Sequence, residues 1–127
     1  MSESRPFTYA ILQVVPCLQR GERINAGVAL FCRQHDFLEL KVELPVEKLG
    51  LISPGADLDE IAAGLEEIRL VIQGDPRAGA LARMDPSDRF GWLVAPSSTI
   101  IQSSTAHTGL TTDPAAELDR LFDRLVA

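Results

Sequence analysis

In residues 7–15 nearly every position is apolar or small, with Phe7, Tyr9 and Ile11 alternating against Thr8, Ala10, Leu12 and Val14. That pattern predicts a strand covered on both faces. Pro16 stops it, because proline has no N–H to give a ladder, and Gly21 supplies turn chemistry to the loop 17–23. Residues 24–32 read as a second strand. Ile24, Ala26, Val28, Leu30 and Cys32 face one way, and Asn25, Gly27, Ala29 and Phe31 the other. After a turn at Gln34-His35-Asp36, Leu38, Leu40, Val42 and Leu44 alternate with Glu39, Lys41 and Glu43. This is a half-exposed strand with one wet face, whose charges would protect a sheet edge. Three strands on short loops imply an antiparallel meander.

Beyond Pro45 the period changes. Residues 45–51 suggest a short helical turn. Asp57, with Glu60 three residues on, opens a helix whose stripe is Leu58, Ile61, Ala62, Leu65, Ile68 and Ile72. Gly74-Asp75-Pro76 closes it. Residues 77–84 are weakly helical and interrupted by Gly79. Asp85-Pro86 then places a cap and a first-turn proline before 87–93, where Trp92, Phe90 and Leu93 would bury a satellite core. Residues 99–105 predict a last strand, preceded by the polar pair Ser97-Ser98, and 107–112 a turn. Asp113-Pro114 repeats the cap signature before a helix with Leu118, Leu121, Phe122, Leu125 and Val126 on its core face. The expected fold is α+β. An antiparallel sheet of about four strands, a three-strand meander plus a late strand, is covered by helices including an amphipathic C-terminal one. Residues 1–127 form a single domain.

Composition narrows the functions. A chain of 127 residues with 46% apolar and 24% charged positions can bury one core. Its apolar runs are too short to cross a bilayer and its N-terminus lacks the pattern of a secretory signal, so no membrane association and a cytoplasmic location are expected. The net charge of −6 provides no Lys/Arg-rich face, which argues against nucleic acid. If 7–15 and 24–33 form a hairpin turning near Arg20, Cys17 and Cys32 stand on the order of 30 Å apart. A disulfide spans about 5.5 Å between Cα atoms, so both should be free thiols. No ligand spacing suggests a metal, and no cofactor is implied.

Candidate chemistry gathers at the tail. His107 stands among Ser103, Ser104, Thr105 and Thr108, where a histidine beside hydroxyls can serve as general base; the plainer reading is a loop histidine bonded locally. Gly109, with Thr108 and Thr111, would open a turn at a helix N-terminus to an anion, although an Asp113 cap already fills that position. Arginines 20, 23, 69 and 89 would supply positive charge if they converged, and Arg69, at the margin of its helix stripe, would reach back over the sheet. Asn25 and Gly27 place a polar side chain beside bare backbone, suiting either ligand contact or a bulge. The glycines between 21 and 27 open a strand, not a helix, and so make no phosphate loop. No catalytic residue is assigned. The ligand- or partner-binding candidates are Arg23, Asn25, Gly27, Arg69, Ser103, His107, Thr108 and Gly109.

Three ordered segments resemble a bacterial family, the domain of unknown function 3037. They are Tyr9-Ala10-Ile11-Leu12-Gln13-Val14-Val15-Pro16, the run from Arg20-Gly21-Glu22-Arg23-Ile24-Asn25-Ala26-Gly27 to Phe31, and His107-Thr108-Gly109-Leu110 with Asp113-Pro114 and the terminal helix. Ala26 departs from the family's usual valine, which alters packing and not chemistry. The resemblance implies no activity, but it implies a context beside kinases similar to the HipA serine/threonine type. The leading expectation is therefore a non-catalytic accessory domain that engages a protein partner, a HipA-like kinase, through Arg23, Asn25, His107 and Thr108. The alternative is a small enzyme or sensor for a phosphorylated or nucleotide-like ligand, with His107 as base and an arginine anion clamp. Both need the second strand and the tail to meet.

Overall fold

The computed structural model describes residues 3–96 and 99–127; Ser97 and Ser98, expected beside the late strand, lie outside them. The strands are β1 (Arg5–Val14), β2 (Ile24–Cys32), β3 (Phe37–Val42), β4 (Ile101–Ser103) and β5 (His107–Thr111). The helices are α1 (Val46–Ile52), α2 (Leu58–Gln73), α3 (Pro86–Val94) and α4 (Pro114–Leu125). The sheet is antiparallel in the order β3-β2-β1-β4, with β5 also on β1. The late strand is thus two strands on one edge of β1. β4 pairs with the end of β1 (Leu12↔Ser103) and β5 with its start (Tyr9↔His107, Phe7↔Gly109).

The expected strand 99–105 and turn 107–112 are both corrected here. Ordered pairing begins at Ile101, pauses after Ser103, and resumes at His107. Between the two pieces, Ser104, Thr105 and Ala106 stand against Ala10 and Ile11, one residue more than the partner strand offers. Ser104 holds the seam: its N–H donates to the Ile11 carbonyl, and its Oγ accepts from the Ile11 N–H, each at 2.8 Å.

A second irregularity re-aims β2. Leu12 pairs with Gly27 but Gln13 with Asn25, so Ala26 is an extra residue. The uniform alternation expected for this strand fails there. Ile24 and Ala26 join Ala29 and Phe31 in the core under α2 and α3, while Val28, Leu30 and Cys32 face α4. Asn25 is turned to the α4 side as well, where it reaches the helix backbone.

Two cores follow, one on each face. Ala10, Leu12, Val14 and Leu40 pack with Leu49, Ile61, Leu65, Ile72, Phe90 and Leu93, so Phe90 and Leu93 belong to the main core and not to a satellite. On the other face Phe7, Val28, Leu30 and Cys32 meet Leu118, Leu121, Phe122 and Val126. β1 is covered on both sides, as its apolar run requires. β3 is the opposite edge, yet its polar face is not wholly wet: Lys41 lies over the Phe122 ring at 4.8 Å and bonds Asp119 of α4 at 3.1 Å.

The helix ends follow their signatures closely. Asp57 accepts from the Glu60 N–H at 3.1 Å and Asp113 from the Ala116 N–H at 3.2 Å. Gly74 adopts φ 69°, the left-handed conformation that closes α2. Asp85 stands at the start of α3 without a side-chain cap bond among the described residues. Leu58, assigned to the buried stripe, is left exposed in the first turn of α2. The weakly helical 77–84 is a 3-10 segment, Pro76–Arg83, broken at Gly79. Cys17 and Cys32 are free thiols. Among the described residues no helix is long and apolar enough to cross a membrane.

Candidate functional site

α4 lies across the sheet, with one groove at its C-terminus and another along the flank that faces β5. At its C-terminus the last carbonyls lack intrahelical partners. Asn25 Nδ2 donates to the Leu125 carbonyl at 3.0 Å, and Lys48 Nζ to that of Val126 at 3.1 Å. Asn25 Oδ1 in turn accepts from Gln13 Nε2 at 3.0 Å, while Arg23 Nη1 donates to Gln102 Oε1 at 3.0 Å. A polar row therefore crosses β4, β1 and β2 and terminates on the helix, with Lys48 placed where a helix dipole favours a cation. A shallow groove of about 530 Å³ opens here, lined by Arg23, Asn25, Lys48, Leu51 and Leu125 among others. Leu51 on its rim is 85% exposed.

The other groove, about 440 Å³, runs between β5 and the flank of α4. Phe7 and Tyr9 form its floor, the backbone at Thr108 and Gly109 one wall, and Arg120 and Arg124 the other. Gly109 is needed for packing: a Cβ there would fall 2.7 Å from Phe7 Cζ. His107 sits opposite Tyr9 and rests its ring on it, with centroids 5.2 Å apart. Arg120 is paired with Glu117, one turn earlier on the helix. Arg124 is exposed and has no side-chain partner among the described residues.

The candidates do not gather into one recess. From Tyr9 to Gln13, and hence from His107 to Asn25, is four residues along β1 plus two strand spacings across it. That amounts to about 13 Å by about 10 Å, beyond direct side-chain contact. Arg69 belongs to the opposite layer. It does not reach over the sheet but bonds Glu66 and Gln73 of its own helix, and its guanidinium holds the Glu66 carboxyl below its ordinary range. Farther along that layer, the side-chain and backbone bonds from Arg77 lower Asp75 to about 2. Arg20 pairs with Glu22 at 2.6 Å, and Arg89 donates to the Met84 carbonyl at 3.0 Å. The four arginines thus make no common anion clamp. Gly27 lies beneath β3, where a Cβ would meet the Lys41 carbonyl at 2.9 Å; the close approach expected there is that of a neighbouring strand. Ser103 Oγ donates to the Ser104 carbonyl at 2.8 Å, and Thr108 is exposed on the edge. The turn expected at Thr108-Gly109 as an anion seat is strand, and Thr111 Oγ1 accepts from the Asp113 N–H at 3.0 Å.

Sequence reading missed Tyr9, Lys48, Arg120 and Arg124. The arginine pair, four residues apart on the polar side of a helix, was the one readable signal. Lys48 could not be placed without knowing where α4 ends.

Fold and grooves define an antiparallel α+β domain, clothed by helices on both faces of one sheet, with two shallow grooves beside its terminal helix. A family model described as protein of unknown function (DUF3037) matches residues 9–126, and the chain belongs to that family. No curated protein and no solved structure matches it.

Proposed function

We infer that this is a cytoplasmic accessory domain that works by binding another protein, the partner implied by its family context being a HipA-like serine/threonine kinase. One observation carries the reading. Apart from the exposed His107 and Thr108, the polar candidates hold the fold, whereas large apolar side chains are left outside it. Asn25 and Lys48 hold the end of α4, Arg69 its own helix, and Ser104 the sheet seam. Leu110 is 69% exposed, Leu51 85% and Leu18 52%. Leu110 and Leu51 each border a groove, where exposed apolar surface suits contact with a protein.

The ligand-sensing alternative needs His107 and an arginine clamp in one pocket. Arg69 projects from the other face, and neither groove encloses a small molecule as ligand pockets do. The test is co-expression with the HipA-like kinase. Co-elution together with altered kinase activity is expected; a kinase that elutes alone with unchanged activity refutes the reading.

A further inference from the structure

The two edges of the sheet are guarded differently. β3 carries Glu39 and Lys41, the kind of charge that discourages edge-to-edge pairing. β5, His107-Thr108-Gly109-Leu110-Thr111, carries no lysine, acid or proline. It pairs with β1 on one side and with no strand on the other among the described residues. His107, Thr108 and Leu110 are exposed. An open edge of five residues presents a row of backbone donors and acceptors to a strand laid alongside.

Beside that edge lies the groove floored by Phe7 and Tyr9, with Arg120 and Arg124 along its far wall. In a strand added to β5, alternate side chains would point to the α4 face and reach this groove across Gly109, which puts no side chain between them and Phe7. There they would meet aromatic surface and then a guanidinium. Arg124 has no side-chain partner among the described residues, and Arg120 has one, Glu117. An unpaired cation facing an edge strand favours a carboxylate on the incoming segment. A second copy of this chain suits the edge less well. Two β5 strands paired antiparallel about a two-fold axis through the sheet would put both α4 helices on the same side, arginine wall facing arginine wall.

We propose that β5 receives an extended, acidic segment of the protein partner by strand addition, with alternate apolar side chains on the Phe7–Tyr9 floor and a carboxylate on Arg124. This rests on the protein-partner reading above and names the chemistry of the partner's contact. Backbone bonding supplies the affinity and the groove the selectivity.

The probe is a short labelled peptide whose alternate positions read valine, valine, glutamate, with threonine between them, compared by fluorescence anisotropy with its counterpart carrying lysine in place of glutamate. The acidic peptide should bind, weaken as salt is raised, and lose about tenfold or more in affinity to Arg124→Glu. Leu110→Glu, which charges the edge itself, should also weaken it, while Arg69→Glu on the opposite layer should not. An unchanged melting temperature shows that each variant is folded. Equal binding of the basic peptide, or full affinity in Arg124→Glu, overturns the proposal. So does a dimer in sedimentation that Leu110→Glu dissociates, since the edge would then be occupied by a second copy. A kinase that co-elutes equally with wild type and Arg124→Glu also overturns it and leaves the partner reading intact. Acidic-peptide binding without kinase co-elution removes the kinase and leaves the edge.

Discussion

Asn25 shows how one side chain ties several elements together. Its amide links Gln13 of β1 to the last turn of α4, satisfying a carbonyl that the helix itself leaves open. Asn25→Ala should therefore destabilise the protein by about 1–2 kcal/mol, read from denaturant melts, and speed hydrogen exchange at the end of α4. Gly109 serves packing in a similar way. A methyl group there would overlap the buried Phe7 ring, so Gly109→Ala should cost about 1–3 kcal/mol. Phe7→Leu should relieve part of that cost, and a double-mutant cycle would show the two changes to be non-additive. The bonds from Arg77 to Asp75 set a pH dependence. Asp75 titrates at about 2 in the fold against 3.8 ordinarily. Its contribution to stability is therefore complete above the ordinary value and is lost as pH falls toward about 2. The effect on stability should be small, because the pair is exposed and screened. Carboxyl NMR should show the low midpoint directly, and Arg77→Ala should return it toward 3.8.

At the scale of elements, legibility followed the strength of the local pattern. The caps at Asp57 and Asp113, the closing Gly74 and the apolar run of β1 were readable because each is set by a few neighbouring residues. The bulge at Ala26 was legible only as one of two options, from Asn25 beside Gly27, and the alternation itself did not mark it. In a strand that is apolar on both faces, a skipped residue leaves no break in the alternation. β5 was hidden for the opposite reason. His107-Thr108-Gly109-Leu110-Thr111 has turn-like composition and becomes a strand because half of β1 would otherwise lack a partner on that side. Deleting Ala26 tests the first point. The shortened strand would run Gly27, Asn25, Ile24 in plain alternation, with Asn25 still opposite Gln13 on the α4 side and Ile24 still in the α2 core. Its thermal unfolding should stay cooperative, at a melting temperature lowered by the lost packing of the buried Ala26; loss of the cooperative transition would show that the fold depends on the bulge itself.

For the whole molecule, the division of labour runs between the C-terminus of α4 and the flank that it turns to β5. The C-terminal end, where the sequence suggested a polar recess around Asn25, is a set of bonds that clamps helix to sheet. The flank nearer β5 combines an unprotected strand edge, an aromatic floor and a cation without a described partner. Of the candidate site, Asn25 and Gly109 were picked out for polarity and bare backbone, and the structure gives both to packing and capping. Their neighbours Tyr9 and Arg124 came to light only once the strands were paired, because β5 brings the tail against β1 across nearly a hundred residues of chain. Amide hydrogen exchange of the domain alone and in complex with the co-expressed kinase tests this division most directly. Added protection at 107–111, with 22–27 and 48–52 unchanged, is the expected result. Protection confined to 22–27 and 48–52, with β5 exchanging as before, would contradict it.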